Sequence, residues 1–170
     1  MKYINLNPEE VALKAFNYFP DLKCSEASFK AIIEALSEKI GEPYSFIPSS
    51  ILAYGKAGIY GWCGVCGAFN GTSAAVSVIF EGNDKKIHST LSQLADFLLS
   101  NVQPAFLPEG VDSVLKLSLP SLSCSDIFLR FHKEHGVDFE NEKRKMFCRC
   151  LTYVTVFKAV EILNGSFYQA

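Results

Sequence analysis

The sequence predicts an all-α protein, a compact helical bundle of about six helices that occupies residues 1–170 as a single domain. Apolar residues recur at spacings of three and four in several segments, which is typical of helices that bury one face. No segment shows the sustained alternation of apolar and polar residues that marks a half-buried strand. Because the chain has 170 residues and is 49% hydrophobic, it can bury one core without disulfides.

Two helices are predicted ahead of residue 41. Asn7 is a capping residue followed by Pro8, so the first helix should begin there and run to about Tyr18, before Pro20. The second helix carries an amphipathic stripe and ends at Gly41, a residue suited to a helix C-terminus. The stripe consists of Phe29, Ile32, Ile33, Leu36 and Ile40.

A long connection and a helix of small residues are predicted in the middle of the chain. Prolines and glycines make 41–62 a connection with one short helix near 50–54. From Cys66 to about Phe80 the pattern favours a helix. The β-branched residues near its end leave a strand over 74–80 as the alternative.

Three further helices are predicted in the C-terminal half. Leucines share one side of 87–102, and helices are also expected over 123–135 and 141–163. Prolines at 104, 108 and 120 indicate an irregular stretch between the first two of these helices.

Charge and composition exclude several classes of function. Lys and Arg total 16 against 18 Asp plus Glu, a balance that provides no field to attract nucleic acid or an anionic membrane. Residues 63–80 carry few charges but are too polar for a membrane span, and the first ten residues do not resemble a secretory signal. A cytoplasmic location is therefore expected. In that reducing compartment the six cysteines should be free, metal-bound or redox-active.

The segment Trp62-Cys63-Gly64-Val65-Cys66 looks like a thioredoxin active site, but its context contradicts that fold. A thioredoxin needs a buried strand before the motif, and the preceding residues contain two glycines and no such strand. Redox chemistry at these two cysteines does not depend on a thioredoxin fold. A helix that begins near Cys66 would favour a thiolate there, so Cys66 could form a reversible disulfide with Cys63 or Cys24.

The cysteine pattern resembles the redox-active family named C_GCAxxG_C_C. Its core motif is Cys66-Gly67-Ala68-Phe69-Asn70-Gly71, preceded by Cys24 and followed by Cys124 and by Cys148-Arg149-Cys150. The resemblance implies a small helical domain with four functional cysteines, and it implies that Gly67, Ala68 and Gly71 lie beside a cofactor. Some relatives look like the same domain joined to haem-binding segments.

The fourth cysteine of that pattern has two candidates. Residues two apart in a helix point about 200° away from each other, so Cys148 and Cys150 should not face the same site. Cys150 shares the apolar stripe of its helix, and we therefore favour Cys150 for the cluster. A frayed first helical turn that brings in both cysteines is the alternative.

Two chemistries and one alternative follow. The thiols Cys24, Cys66, Cys124 and Cys150 could hold an iron–sulfur cluster or zinc, or Cys66 could open and close a disulfide. No c-type haem is expected, because Gly67 rather than histidine follows the Cys63–Cys66 pair. An iron–sulfur cluster or a reversible disulfide would need a redox partner and leaves open an oxidoreductase activity, and a homodimer is compatible with either. The alternative is a non-catalytic helical binding or scaffold module whose cysteines only pack.

Overall fold

The computed structural model describes residues 1–168, and helices dominate it. Its α-helices are α1 (Pro8–Ile40), α2 (Ala57–Tyr60), α3 (Gly67–Ile79), α4 (Asp84–Ser100), α5 (Cys124–His135) and α6 (Glu142–Tyr168). Short 3₁₀ turns cover Tyr44–Phe46 and Ser49–Gly55, within the predicted connection. The expected all-α class is confirmed. No helix within residues 1–168 combines the length and apolar character that a membrane crossing requires.

Helix α1 consists of two arms that meet at Lys23. Asn7 caps the first arm by accepting hydrogen bonds from the backbone of the first turn, and Gly41 ends the second at φ 80°. Lys23 between the arms has φ 63° and ψ −169°, which breaks the helical path. The two predicted helices thus form one kinked element. Cys24 consequently stands at the start of the second arm.

Helix α6 passes through the middle of the molecule. Every residue from Cys150 to Val156 is buried, although such a run includes all faces of a helix. A helix that is buried all round must have neighbours on every side. Helix α1 is its most extensive neighbour, and α3 and α4 also pack against it. The core between them includes the predicted stripe of the second arm, with Phe29, Ile32 and Leu36 fully buried.

Helix α3 approaches α1 so closely that two positions exclude any side chain. A Cβ at Gly71 would overlap the carbonyl oxygen of Ser25 and lie 2.8 Å from its carbonyl carbon. A Cβ at Gly67 would overlap the Cys24 sulfur. Gly67 and Gly71 are one turn apart and so lie on the same face of α3. The small residues of the motif therefore let the two backbones touch. The strand alternative for 74–80 is wrong, because α3 continues to Ile79.

A short antiparallel pair closes the stretch between α4 and α5. Strands β1 (Val102–Gln103) and β2 (Leu117–Ser118) have two residues each. Strands this short produce no alternating pattern, which explains why the sequence predicted only an irregular segment here. The buried Gln103 amide donates to the Leu98 carbonyl at 3.1 Å and fastens this stretch to the end of α4.

Gly71→Ala should test the contact between α3 and α1. In a free helix alanine stabilises relative to glycine by about 1 kcal/mol, but here the methyl group meets backbone. We expect the free energy of unfolding in urea to fall by about 2 kcal/mol or more. Gly64→Ala is the control, since its nearest atom would be 3.6 Å away. Equal stability of Gly71→Ala and the parent would contradict the close approach.

Candidate thiol site

Four of the six cysteines line one cavity of about 550 Å³. Cys24 begins the second arm of α1, Cys66 is the N-cap of α3, Cys124 is the first residue of α5, and Cys148 lies in the second turn of α6. All six cysteines are free thiols. The structure therefore brings Cys24, Cys66 and Cys124, each at the start of a helical segment, to the wall of one cavity. We call this group of four the thiol cluster.

Backbone hydrogen bonds join the start of α3 to the start of α5. The Cys66 N–H donates to the Leu122 carbonyl at 2.8 Å, and the Cys124 N–H donates to the Gly64 carbonyl at 2.7 Å. Together they form a single antiparallel bridge between the two segments. Because both bonds involve cysteines of the thiol cluster, the bridge sets the spacing of Cys66 and Cys124 directly.

The loop beside this bridge has an unusual backbone. Four of its non-glycine residues occupy the left-handed region, which side chains rarely adopt, and each costs local free energy. They are Ala57, Ile59, Tyr60 and Cys63. Gly58 lies among them at φ 63°, and a Cβ there would be 2.8 Å from the Cβ of Cys124. Strained backbone of this kind is often found at functional sites, where surrounding contacts hold it in place.

The fourth member of the cluster is Cys148, and Cys150 points elsewhere. Cys150 is fully buried in the hydrophobic core with Val154 and Tyr153, whereas Cys148 lines the cavity. The expectation that the two face different ways agrees with the structure. The choice of Cys150 does not, because the apolar stripe that it shares faces the core rather than the cavity.

The remaining predicted site residues divide between the cavity wall and the packing around it. Gly67 and Ala68 line the cavity, and Gly71 instead contacts the backbone of Ser25. Cys63 is half-buried outside the described wall, and its carbonyl accepts a hydrogen bond from the Ser125 N–H at 3.3 Å. The sequence offered Cys63 as a disulfide partner of Cys66, whereas the structure places it beside the thiol cluster and outside the described cavity wall.

The rest of the cavity wall is aromatic and basic. The aromatic residues are Phe19, Tyr60, Phe128, Phe131, Phe139 and Phe147, and the basic ones are Lys23, Lys56, Arg144 and Lys145. Glu140 is the one carboxylate among the lining residues described. The wall is therefore positively charged in a chain whose net charge is −2. Sequence reasoning missed these residues because they come from separate elements and form no motif.

Burial keeps the cluster thiols protonated. It raises the pKa of Cys66 and Cys24, and it raises the pKa of Cys124 to about 11 and that of Cys148 to about 12. Neighbouring sulfurs add to the effect, since a thiolate at Cys24 would repel one at Cys66. Backbone donors do lower the pKa of Cys24, but desolvation outweighs them. Helix starts alone therefore do not yield the thiolates that the sequence led us to expect.

The described side chains do not converge on one point. Within residues 1–168 no group of three or more His, Cys, Asp or Glu side chains has the spacing to hold a metal ion. Two histidines near the end of α5 make contacts elsewhere: a ring nitrogen of His132 lies 3.2 Å from the Val137 carbonyl oxygen, and one of His135 lies 2.8 Å from that of Lys116. Neither lines the described cavity.

The fold and site define a helical domain with a cysteine-lined cavity. Residues 22–162 match the family described as "Putative redox-active protein (C_GCAxxG_C_C)". The chain belongs to this C_GCAxxG_C_C family, as the cysteine pattern predicted.

Two comparisons with split-Soret cytochrome c of Desulfovibrio desulfuricans extend the assignment. The chain is 30% identical to that protein over 167 residues, which cover 94% of this chain and 59% of the relative. The chain therefore spans less than two thirds of the curated relative that it matches. A solved structure described as "a novel iron centre in the split-Soret cytochrome c" from the same species superposes with a TM-score of 0.90 at 27% identity. The superposition covers all of this chain and 73% of that one.

These comparisons contradict the cofactor prediction. We expected an iron–sulfur cluster or zinc and no c-type haem, whereas the relative found by sequence and by structure is a cytochrome c with an iron centre. The expectation rested on the residue after one C-x-x-C pair. That pair, Cys63 and Cys66, is followed by Gly67 and has no histidine of the attachment motif, so its residues do not fit covalent haem.

Alkylation of the reduced, metal-free protein should report the raised thiol pKa values. For Cys124 a pKa of about 11 instead of 9.0 lowers the thiolate fraction at neutral pH about 100-fold. We expect iodoacetamide to label Cys124 about 100-fold more slowly than in the urea-unfolded chain, as followed by mass spectrometry. The rate should still rise with pH above 9. A rate that levels off near pH 9 would contradict the shift.

Proposed function

We propose that this protein is a one-electron redox protein in which Cys24, Cys66, Cys124 and Cys148 hold an iron centre. The observation that carries the proposal is that four thiols from four separate helical segments line one cavity. Support also comes from the iron centre described for the similar structure. Sulfur ligands suit iron, and thiolate-bound iron supplies reversible one-electron chemistry when present.

The cavity is large for a single ion. A volume of about 550 Å³ falls in the range of small-molecule sites rather than of one metal ion. The four thiols reach this cavity from different sides, and among the described residues they do not lie close enough together to hold a metal ion. Iron binding would therefore have to draw the sulfurs together.

Protonated thiols are compatible with a metal site, because a thiol loses its proton when it coordinates a metal ion. Metal binding would therefore convert the neutral thiols to thiolates. The aromatic wall keeps water from the sulfurs, and the bridge between Cys66 and Cys124 holds two of them in place. In this proposal the thiols bind the iron centre and the aromatic wall shields it from water. The electrons come from an external partner protein.

The disulfide mechanism has less support. A thiol must be a thiolate to attack, and burial opposes that state at Cys66. Its neighbour in sequence, Cys63, lies outside the described cavity wall. Purely structural cysteines are also a poor account of the cluster, since such cysteines fill apolar cores, as Cys150 does.

Iron content should separate Cys148 from Cys150. After anaerobic purification with iron supplied during expression, we expect the parent protein to be coloured and to contain iron. Cys148→Ala should lose most of the iron and the visible absorption, because a ligand is removed. Cys150→Ala is the matched control, two residues along the same helix, and should keep both. An iron-free parent protein, or equal iron in the two variants, would overturn the proposal.

A further inference from the structure

Arg144 is the charged side chain most closely associated with the thiol cluster. It lies in the first turn of α6, and its Nη1 donates towards the Cys148 sulfur at 3.5 Å. The guanidinium stacks over the Phe139 ring, 4.0 Å from the ring centre. The contacts hold a positive charge beside the sulfurs without placing any carboxylate between them.

The charge of Arg144 is left uncompensated by the protein. Among the ion pairs of residues 1–168 none includes Arg144. Its Nε is buried and has no hydrogen-bond partner in the described part of the chain. A buried donor without a partner costs about 1–3 kcal/mol, so such groups are rare unless something else uses them.

The other basic residues of the cavity wall are already engaged. Lys145 pairs with Glu140 and Glu142, at 3.5 and 2.9 Å. Lys23 donates to the carbonyl of Pro20, and Lys56 lies over the Tyr60 ring. Arg144 is thus the cation of the described wall whose hydrogen bond is to a sulfur of the thiol cluster.

The influence of Arg144 extends across the cluster. Arg144 lines the same cavity as Cys24, Cys66 and Cys124, and it contacts the sulfur of Cys148. One guanidinium therefore shares a cavity with thiols from four helical segments. A group so placed stabilises any negative charge that collects among them.

We propose that Arg144 is a positioning residue that offsets the negative charge of the four thiolates and thereby raises the reduction potential of the site. This inference rests on the proposed iron centre. Four thiolates carry more negative charge than one ferrous or ferric ion neutralises, and burying that excess is costly without a nearby cation. Reduction adds one more negative charge. A fixed positive charge consequently stabilises the reduced state more than the oxidised one.

The electron balance is simple. One electron passes from an external one-electron donor, such as a reduced mediator dye, to the site, and the donor is oxidised by one electron. No covalent bond of the protein forms or breaks. The contribution of Arg144 is electrostatic and changes the position of the equilibrium.

The test compares charge with shape at position 144. Arg144→Met keeps an unbranched side chain over Phe139 without charge, Arg144→Gln keeps a donor without charge, and Arg144→Lys keeps the charge. Arg149→Met is a matched control: Arg149 also stacks on a ring, that of Phe16 at 3.8 Å, and donates to the Phe16 carbonyl at 2.8 Å. It is close to Cys150, away from the described cavity wall.

The measurements are iron per chain and the midpoint of a mediated potentiometric titration with dithionite, followed by visible absorption. We expect Arg144→Met and Arg144→Gln to shift the ratio of oxidised to reduced protein at least tenfold towards the oxidised form, which is 59 mV for one electron. Arg144→Lys should stay close to the parent, and Arg149→Met should leave the midpoint unchanged. Loss of iron from the two uncharged variants, but not from Arg144→Lys, would also support the proposal that the positive charge at position 144 is what the site requires.

Three results would overturn the inference. One is a parent-like midpoint in Arg144→Met or Arg144→Gln, and another is an equal shift in Arg149→Met. The third is loss of iron in all three Arg144 variants, because charge would then not be the property required. An iron-free parent protein is a different outcome, since it removes the proposed iron centre itself.

Discussion

The close approach of α3 to α1 is the constraint on which the thiol cluster depends. Gly67 and Gly71 allow the start of α3 to lie directly on Cys24 and Ser25, with no side chain between the two backbones. Cys66, the residue before Gly67, is thereby held beside Cys24. A larger residue at either glycine would push the helices apart and separate the first two sulfurs. The family motif is in this sense a packing motif that sets the distance between cysteines.

The second constraint is the backbone bridge that adds α5 to this pair. Its hydrogen bonds run from Cys66 to Leu122 and from Cys124 to Gly64, so they link the sulfur-bearing residues themselves. The strained loop at 57–63 covers the bridge and supplies part of the cavity wall. Helix α6 contributes Cys148, the fourth cysteine of the cavity wall. The site therefore consists of four helical segments fastened by backbone contacts, with the sulfurs facing inward.

Two opposing effects set the pKa of the cluster thiols, and burial has the larger effect. Helix starts offer backbone donors and a positive dipole end, which favour thiolates, but removal from water and mutual repulsion favour neutral thiols. Arg144 adds a fixed positive charge without changing that outcome. Such a site is neutral when empty of cations and becomes strongly anionic only when a metal replaces the protons.

The helices can be predicted from the sequence because helical period and capping are local properties. Asn7, Gly41 and the apolar stripe predicted the ends and buried face of α1, and the predicted helices placed Cys66 and Cys124 at helix starts. The choice between Cys148 and Cys150, in contrast, depends on how α6 packs. Since α6 is buried on all sides between Cys150 and Val156, its apolar pattern does not tell which face meets the core and which meets the cavity. The position of Arg144 beside the sulfurs likewise depends on how α6 packs against α1, α3 and α5, and no local pattern encodes that packing.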